Sequence, residues 1–125
     1  MHKQTVPLTP PGYRRDWVFI EDVIEAYLLA VGAENTAGEI INVGSQEQWS
    51  NEEVVDMVQD ICGQKIEVQV GAHRPTSFDT AQWVAGIEKA QKLLGWKPRH
   101  TFRRGLEKTI SWFRLHQDAY KNVLR

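Results

Sequence analysis

The chain has 125 residues, 42% of them apolar, and its 15 Lys+Arg against 16 Asp+Glu give a formal net charge of −1. This length and apolar content predict a single domain, residues 1–125, with one modest core. Near-neutrality excludes a global field that would draw nucleic acid or an anionic membrane, so any anion site has to be local.

No apolar run approaches the roughly 18 residues that cross a bilayer, and the start "MHKQTVPLTP" lacks a continuous hydrophobic signal region, which predicts a cytoplasmic protein. "PLTPPGY" is a proline-rich, turning lead-in. "DWVFI" is aromatic and β-branched, a short strand by composition. From Asp22 the period becomes helical: Val23, Ile24, Tyr27, Leu28 and Val31 share one face, with Asp22 as the predicted N-cap and Gly32 near the stop.

"TAGEIINVGS" reads as turn, strand, turn, and the run Ile40, Ile41, Val43 is that of a strand covered on both faces. "SNEE" at 50–53 fits a capping box opening a helix that buries Val54, Val55, Val58 and Ile61 and stops at Gly63. The single cysteine, Cys62, lies at that helix end and reads as a small buried apolar residue. "KIEVQV" alternates strictly, which predicts a strand with Ile66, Val68 and Val70 inward. A loop, "GAHRPTSFDT", leads to the apolar "WVA"; "IEKAQKLLG" is a two-turn helix closed by Gly95, with Pro98 beyond it. The last helix begins near Arg103 or Gly105 and carries Leu106, Ile110 and Phe113 on one side, widened by Trp112 and Leu115. The predicted class is α/β or α+β, with few short strands and about four helices.

Several chemistries lack their residues. A dinucleotide site of the doubly wound kind needs closely spaced glycines between a strand and a helix; Gly32 and Gly38 flank the wrong junction, a helix end entering a strand. No Gly-x-x-x-x-Gly-Lys loop is present. A Tyr-x-x-x-Lys pair is missing too, since Tyr13, Tyr27 and Tyr120 are followed four places on by Trp17, Val31 and Leu124. No serine sits in a Gly-x-Ser-x-Gly elbow. The four histidines share no i,i+3 or i,i+4 spacing and Cys62 has no partner, so no metal site is read. The acidic pairs Glu21–Asp22 and Glu52–Glu53 stand at helix starts, where the macrodipole accounts for them. Five tryptophans spread along the chain suit core or interface packing.

What remains is loop arginine: Arg14 and Arg15 before the first strand, and Arg74 in the "HRP" loop. A guanidinium held beside turns can grip phosphate bidentately, whereas a surface arginine merely pairs with a neighbouring acid.

"RRDWVFIEDVIEAYLLAV", "AGEIINVGSQEQWSNEEVVDMVQDICG" and "RPTSFDTAQWVAGIEKAQKLLGWKPRHTFRRGLEKTISWF" together resemble, in order and spacing, the C-terminal part of extended short-chain dehydrogenases/reductases, the family of NAD-dependent nucleotide-sugar epimerases and dehydratases. The resemblance covers about Pro7 to Arg114. It implies a nucleotide-sugar-binding part without the N-terminal dinucleotide-binding half that carries the glycine loop and the Tyr-x-x-x-Lys pair. It also implies that Arg15 and Arg74 contact the substrate diphosphate, with Asp16 or Asp22 as the alternative, structural partner of Arg15. No catalytic residue and no NAD site of its own are expected in this chain. The expected partners are a nucleoside diphosphate-sugar and either further copies of the chain or a separate dinucleotide-binding chain; the alternative is an oligomeric interaction or regulatory protein. Two departures stand out: Gly86 occupies the position where the family commonly has an aspartate before a helix, and the loop after Arg74 is long.

Overall fold

The computed structural model describes residues 5–72 and 76–120. It is α/β, as the composition predicts, with short strands and helices in the order β1 (Val6–Pro7), β2 (Arg14–Asp16), α1 (Ile20–Gly32), β3 (Gln48–Ser50), α2 (Asn51–Cys62), β4 (Val68–Gln69), β5 (Gln82–Trp83), α3 (Glu88–Leu94), α4 (Phe102–Leu115) and α5 (Gln117–Tyr120). β2 is the middle strand of three, antiparallel to β3 with Arg15 opposite Trp49, and parallel to β5 with Arg15 opposite Trp83. β1 and β4 form a separate parallel pair.

The first strand is displaced from the predicted "DWVFI". Arg14, Arg15 and Asp16 pair with β3, the first two also with β5, and by Ile20 the chain is already helical. The turn is made by the Phe19 carbonyl, which accepts from the amides of Asp22 and Val23 at 3.1 and 3.3 Å. Asp22 is therefore inside the first turn of α1 and not its cap; the N-cap is Phe19, without a side-chain bond. Asp22 is 2% exposed and serves tertiary contacts instead. Its Oδ2 accepts from the His100 amide (3.1 Å), its Oδ1 lies 2.8 Å from His100 Nδ1, and its carbonyl accepts from the Trp96 indole (2.9 Å). A carboxylate only accepts, so the proton belongs on Nδ1 and His100 Nε2 is left to accept from Lys108 Nζ at 3.2 Å. One buried acid thus ties α1 to the segment between α3 and α4.

The core is small: Ala26, Ile87, Ala90 and Trp96, flanked by Ile41, Val43, Ala85 and Leu94. Trp96 is the largest of these side chains and is 1% exposed, in keeping with the packing role read for the tryptophans. A second aromatic group joins Trp17 and Trp49 to Phe102 at the start of α4 (6.1 and 5.2 Å between centroids). α4 comes this close because residue 105 is glycine; a Cβ there would stand 2.8 Å from the Phe19 Cβ.

The local end signals read from sequence are present. Ser50 Oγ accepts from the Glu53 amide while Glu53 Oε2 accepts from the Ser50 amide, completing the capping box of α2, and Gly63 and Gly95 close α2 and α3 in the left-handed conformation. α4 starts at Phe102, a residue or more before the prediction, because Thr101 caps it through the Arg104 amide. Gly86 offers no side chain, and α3 has Ile87 as its N-cap without a side-chain bond.

Burial departs further from the pattern. Val68 and Val70 are exposed, and only two residues of "KIEVQV" pair, because β4 has the two-residue β1 as its neighbour and no covering layer. Cys62 is half-buried. The stripe on α1 that should face a core is turned outward: Ile24, Tyr27, Leu28 and Val31 are exposed, while Asp22 and Ala26 are the buried residues. Ile40 to Val43 form no strand among the described residues. No helix there is long and apolar enough to cross a membrane.

The Asp16 carboxylate fixes β2 in place. Oδ1 accepts from the Ser45 amide (2.6 Å) and hydroxyl (2.7 Å), and Oδ2 accepts from the amides of Gln46 and Ala85 (both 3.1 Å). A Cβ at Gly44 would lie 2.5 Å from both Asp16 Oδ2 and Ala85 Cβ, so this approach requires glycine. At Gly32 a Cβ would meet nothing within 4 Å. Gly44→Ala is expected to cost about 1–3 kcal/mol in urea unfolding through forced displacement, whereas Gly32→Ala, at the end of α1, should be neutral or stabilise by up to about 1 kcal/mol.

Candidate functional site

Strand alternation puts Arg15 on the face of β2 opposite Arg14 and Asp16. Arg14 is spent on structure: its Nη2 donates to the Gln48 carbonyl (2.8 Å) and bridges to Glu53 (2.9 Å). The Ser50 amide first, with Arg14 as a further cause, holds the Glu53 carboxyl below its ordinary range.

Arg15 is arranged differently. Nη1 donates to the carbonyls of Arg14 (2.9 Å) and Thr80 (3.0 Å), and Nη2 donates to Asp79 Oδ1 (3.2 Å). The guanidinium carbon lies 5.7 Å from the Tyr13 ring centroid and 5.9 Å from that of Trp83, so two aromatic faces flank the cation. Neither Asp16 nor Asp22, the partners offered by sequence proximity, touches it; those carboxylates face the Ser45 turn and His100. Three of the five guanidinium donors are engaged among the described residues, and the other two have no partner there.

Asp79 is itself held. Oδ2 accepts from the Thr76 amide (2.6 Å) and hydroxyl (3.0 Å). These two bonds, followed by the charge of Arg15, keep its carboxyl below the ordinary 3.8. The acid therefore stays ionised at neutral pH and fixes the orientation of the guanidinium.

An open cleft of about 470 Å³ is lined by Gln48, Phe78, Thr80, Gln82, Trp83 and Val84; Arg15 does not line it but contacts Thr80 and Trp83 of its wall. Phe78 is 86% exposed and Trp83 61%, both large apolar faces on the rim. Gln48 Oε1 is buried with no hydrogen-bond partner among the described residues, an unused acceptor at the same cleft. Arg74, the second predicted phosphate contact, lies outside the described residues. The described residues contain no cluster of three or more His, Cys, Asp or Glu suited to a metal ion.

Sequence reading missed Tyr13, Asp79 and Trp83 as the surroundings of Arg15. Asp79 is 64 residues away in the chain and Trp83 reaches Arg15 only through the β2–β5 register. The available signal was the exposed-aromatic-plus-acid string "FDTAQW" in the long loop, which carries no spacing rule of its own.

The chain is a member of the NAD-dependent epimerase/dehydratase family: the GDP-mannose 4,6 dehydratase family model matches residues 3–109. It is 30% identical over 117 residues to a dTDP-glucose 4,6-dehydratase of Escherichia coli, covering 87% of this chain and 32% of that protein. It is 38% identical over 96 residues to a UDP-glucose 4-epimerase of Corynebacterium glutamicum, covering 74% of this chain and 28% of that one. Among solved structures, an epimerase from Methanothermobacter thermautotrophicus superposes with a TM-score of 0.86 at 27% identity, over 96% of this chain and 36% of the other. A UDP-glucose 4-epimerase from Thermotoga maritima, solved with UDP-glucose, gives 0.75 at 26% identity, over 90% and 35%. The chain spans about a third of the length of the relatives it matches.

Because the folded Asp79 carboxyl ionises below 3.8, its contact with Arg15 is intact at and above that pH and is lost only as pH falls through the lowered value. A carbon-detected NMR titration should give a midpoint below 3.8 for Asp79. Thr76→Val, which removes the hydroxyl bond and keeps the larger amide bond, and Arg15→Gln should each raise it.

Proposed function

We propose that this chain is the nucleotide-sugar-binding part of an epimerase/dehydratase, in which Arg15 and Arg74 grip the diphosphate, and that it performs no redox step by itself. The observation that carries this reading is the state of Arg15: fixed by two carbonyls and an ionised acid, flanked by two aromatic rings, with two donors unengaged among the described residues, and in contact with Thr80 and Trp83 of an open cleft. Two donors of one guanidinium match two oxygens of one phosphate, a charge-assisted pair that a point-charge lysine would not reproduce. The aromatic rim offers flat apolar surface to the remainder of the ligand. Relatives solved with UDP-glucose, and with UDP-glucuronic acid and NAD, support a nucleoside diphosphate-sugar as the ligand class.

NAD would supply hydride transfer at a sugar carbon, but the sequence has neither the glycine loop to receive its pyrophosphate nor the Tyr-x-x-x-Lys pair to move a hydroxyl proton. The residues of this chain do not fit that cofactor. Binding and orientation of the nucleotide-sugar is the role these residues can fill. A cytoplasmic setting, where nucleotide-sugars are handled and a lone thiol stays reduced, accords with this role.

Calorimetric titration with UDP, dTDP, GDP and CDP tests the reading. At least one should bind, and Arg15→Ala and Arg74→Ala should each weaken it about tenfold or more, the loss expected for a charge-assisted phosphate contact. Binding that survives both substitutions, or turnover of a nucleotide-sugar by the pure chain with NAD, would overturn it.

A further inference from the structure

His100 stands where charged side chains of α1 and α4 converge. Its side chain is 19% exposed, and its ring meets Phe19 edge-on at 4.9 Å between centroids. Nδ1 faces the buried Asp22 of α1 at 2.8 Å. Nε2 faces Lys108 Nζ of α4 at 3.2 Å, and Glu21 Oε2 of α1 lies 3.7 Å away. Lys108 bridges to that same Glu21 oxygen at 2.5 Å and lies 5.3 Å from the Phe19 ring centroid. The other charges of these elements are paired elsewhere: Arg99 with Glu25, Arg103 with Asp60 and Glu107, and Arg104 with Glu107.

The contact between Nε2 and Lys108 exists in one protonation state only. An ammonium donates and has no lone pair, so Nε2 is the acceptor and carries no proton. A solvent proton bound to that lone pair breaks no covalent bond, but it sets two cationic donors face to face. Asp22 cannot relieve them, because its oxygens already accept from the His100 amide and from Nδ1. Glu21 can, being within reach of both cations. The ring is held at Nδ1, whereas the ammonium rides on a flexible four-carbon stem, so the lysine is the group that moves. It has room: a cleft of about 350 Å³ between the helices is lined by Phe19, Ile20, Glu21, Lys108, Thr109 and Trp112.

We infer that His100 and Lys108 form a proton-operated latch between α1 and α4. The latch is closed while Nε2 accepts from Lys108. Proton uptake opens it: the imidazolium takes Glu21 as its second acceptor, and Lys108 withdraws into the cleft. The tie through Lys108 is therefore present at higher pH and is lost as the pH falls through the titration of His100. Phe19, packed between the ring and the backbone of Gly105, is the N-cap of α1, so the latch bears on the turn that joins β2 to α1.

Double-mutant cycles in urea unfolding test the latch at about pH 8 and about pH 5, which bracket the ordinary titration range of imidazole. Lys108→Met keeps the stem without the charge, and Glu21→Gln keeps the shape without the charge. The Lys108–Glu21 coupling should be favourable at the higher pH and weaken at the lower one. On a His100→Asn background, which keeps a donor for Asp22 but has nothing to protonate, it should be the same at both. If His100→Asn does not fold, imidazole ¹⁵N spectra of the unsubstituted chain and of Lys108→Met decide. Nε2 should be the unprotonated nitrogen at the higher pH, and the ring should bind its second proton about threefold or more tightly once the Lys108 charge is gone. A Lys108–Glu21 coupling indifferent to pH, a neutral ring protonated on Nε2, or identical titration of the ring with and without Lys108 would overturn the inference.

Discussion

The Asp16 carboxylate is the constraint on which the arrangement rests. It accepts from the amides of Ser45, Gln46 and Ala85 and from the Ser45 hydroxyl, so one side chain holds the end of β2, the turn before β3 and the exit of β5 together. These bonds are charge-assisted and leave few lone-pair positions free. They also tolerate local strain: Gln46 sits at φ 64, a conformation L residues rarely adopt, while its amide is held by Asp16. Arg15, the next residue back, then projects from a strand that cannot slide. The candidate phosphate contact inherits its position from a structural acid that points the other way.

Asp22 has a comparable role in the second half of the fold. It carries the look of a helix cap in the sequence, yet its carboxylate and carbonyl reach His100 and Trp96, more than 70 residues away. A buried carboxylate is costly unless its hydrogen bonds are satisfied, and the amide and ring Nδ1 of His100 meet one oxygen each. The two aspartates together explain how a chain with so few fully buried side chains holds one arrangement. Directional bonds from two acids supplement a core of four residues.

The small core and the exposed α1 stripe are aspects of one fact. α1 is apolar on more than one side, and the described residues cover only the side with Asp22 and Ala26. The same holds for residues 40–44, apolar inward and outward but packed only inward. The site face, by contrast, has its ion pair, its cation–aromatic contacts and its cleft formed within this chain. The ion pair and the cation–aromatic contacts are locally assembled, while the apolar stripe of α1 is left exposed.

Local chemistry was legible in the sequence. The Ser50–Glu53 capping box, the left-handed stops at Gly63 and Gly95, and the α3 helix all depend on residues within a few positions of each other, where spacing is sufficient. Periodicity also marked which residues of α1 and of 40–43 are fit for burial. It could not say that they would face solvent, because a pattern records a preference for cover and does not supply the covering layer. The strand at Arg14–Asp16, the service of Asp16 and Asp22, and the cage of Tyr13, Asp79 and Trp83 around Arg15 were decided only by tertiary structure. Each joins residues tens of positions apart, and bonds of that kind are selected by the register of strands and the packing of helices, which no local spacing encodes.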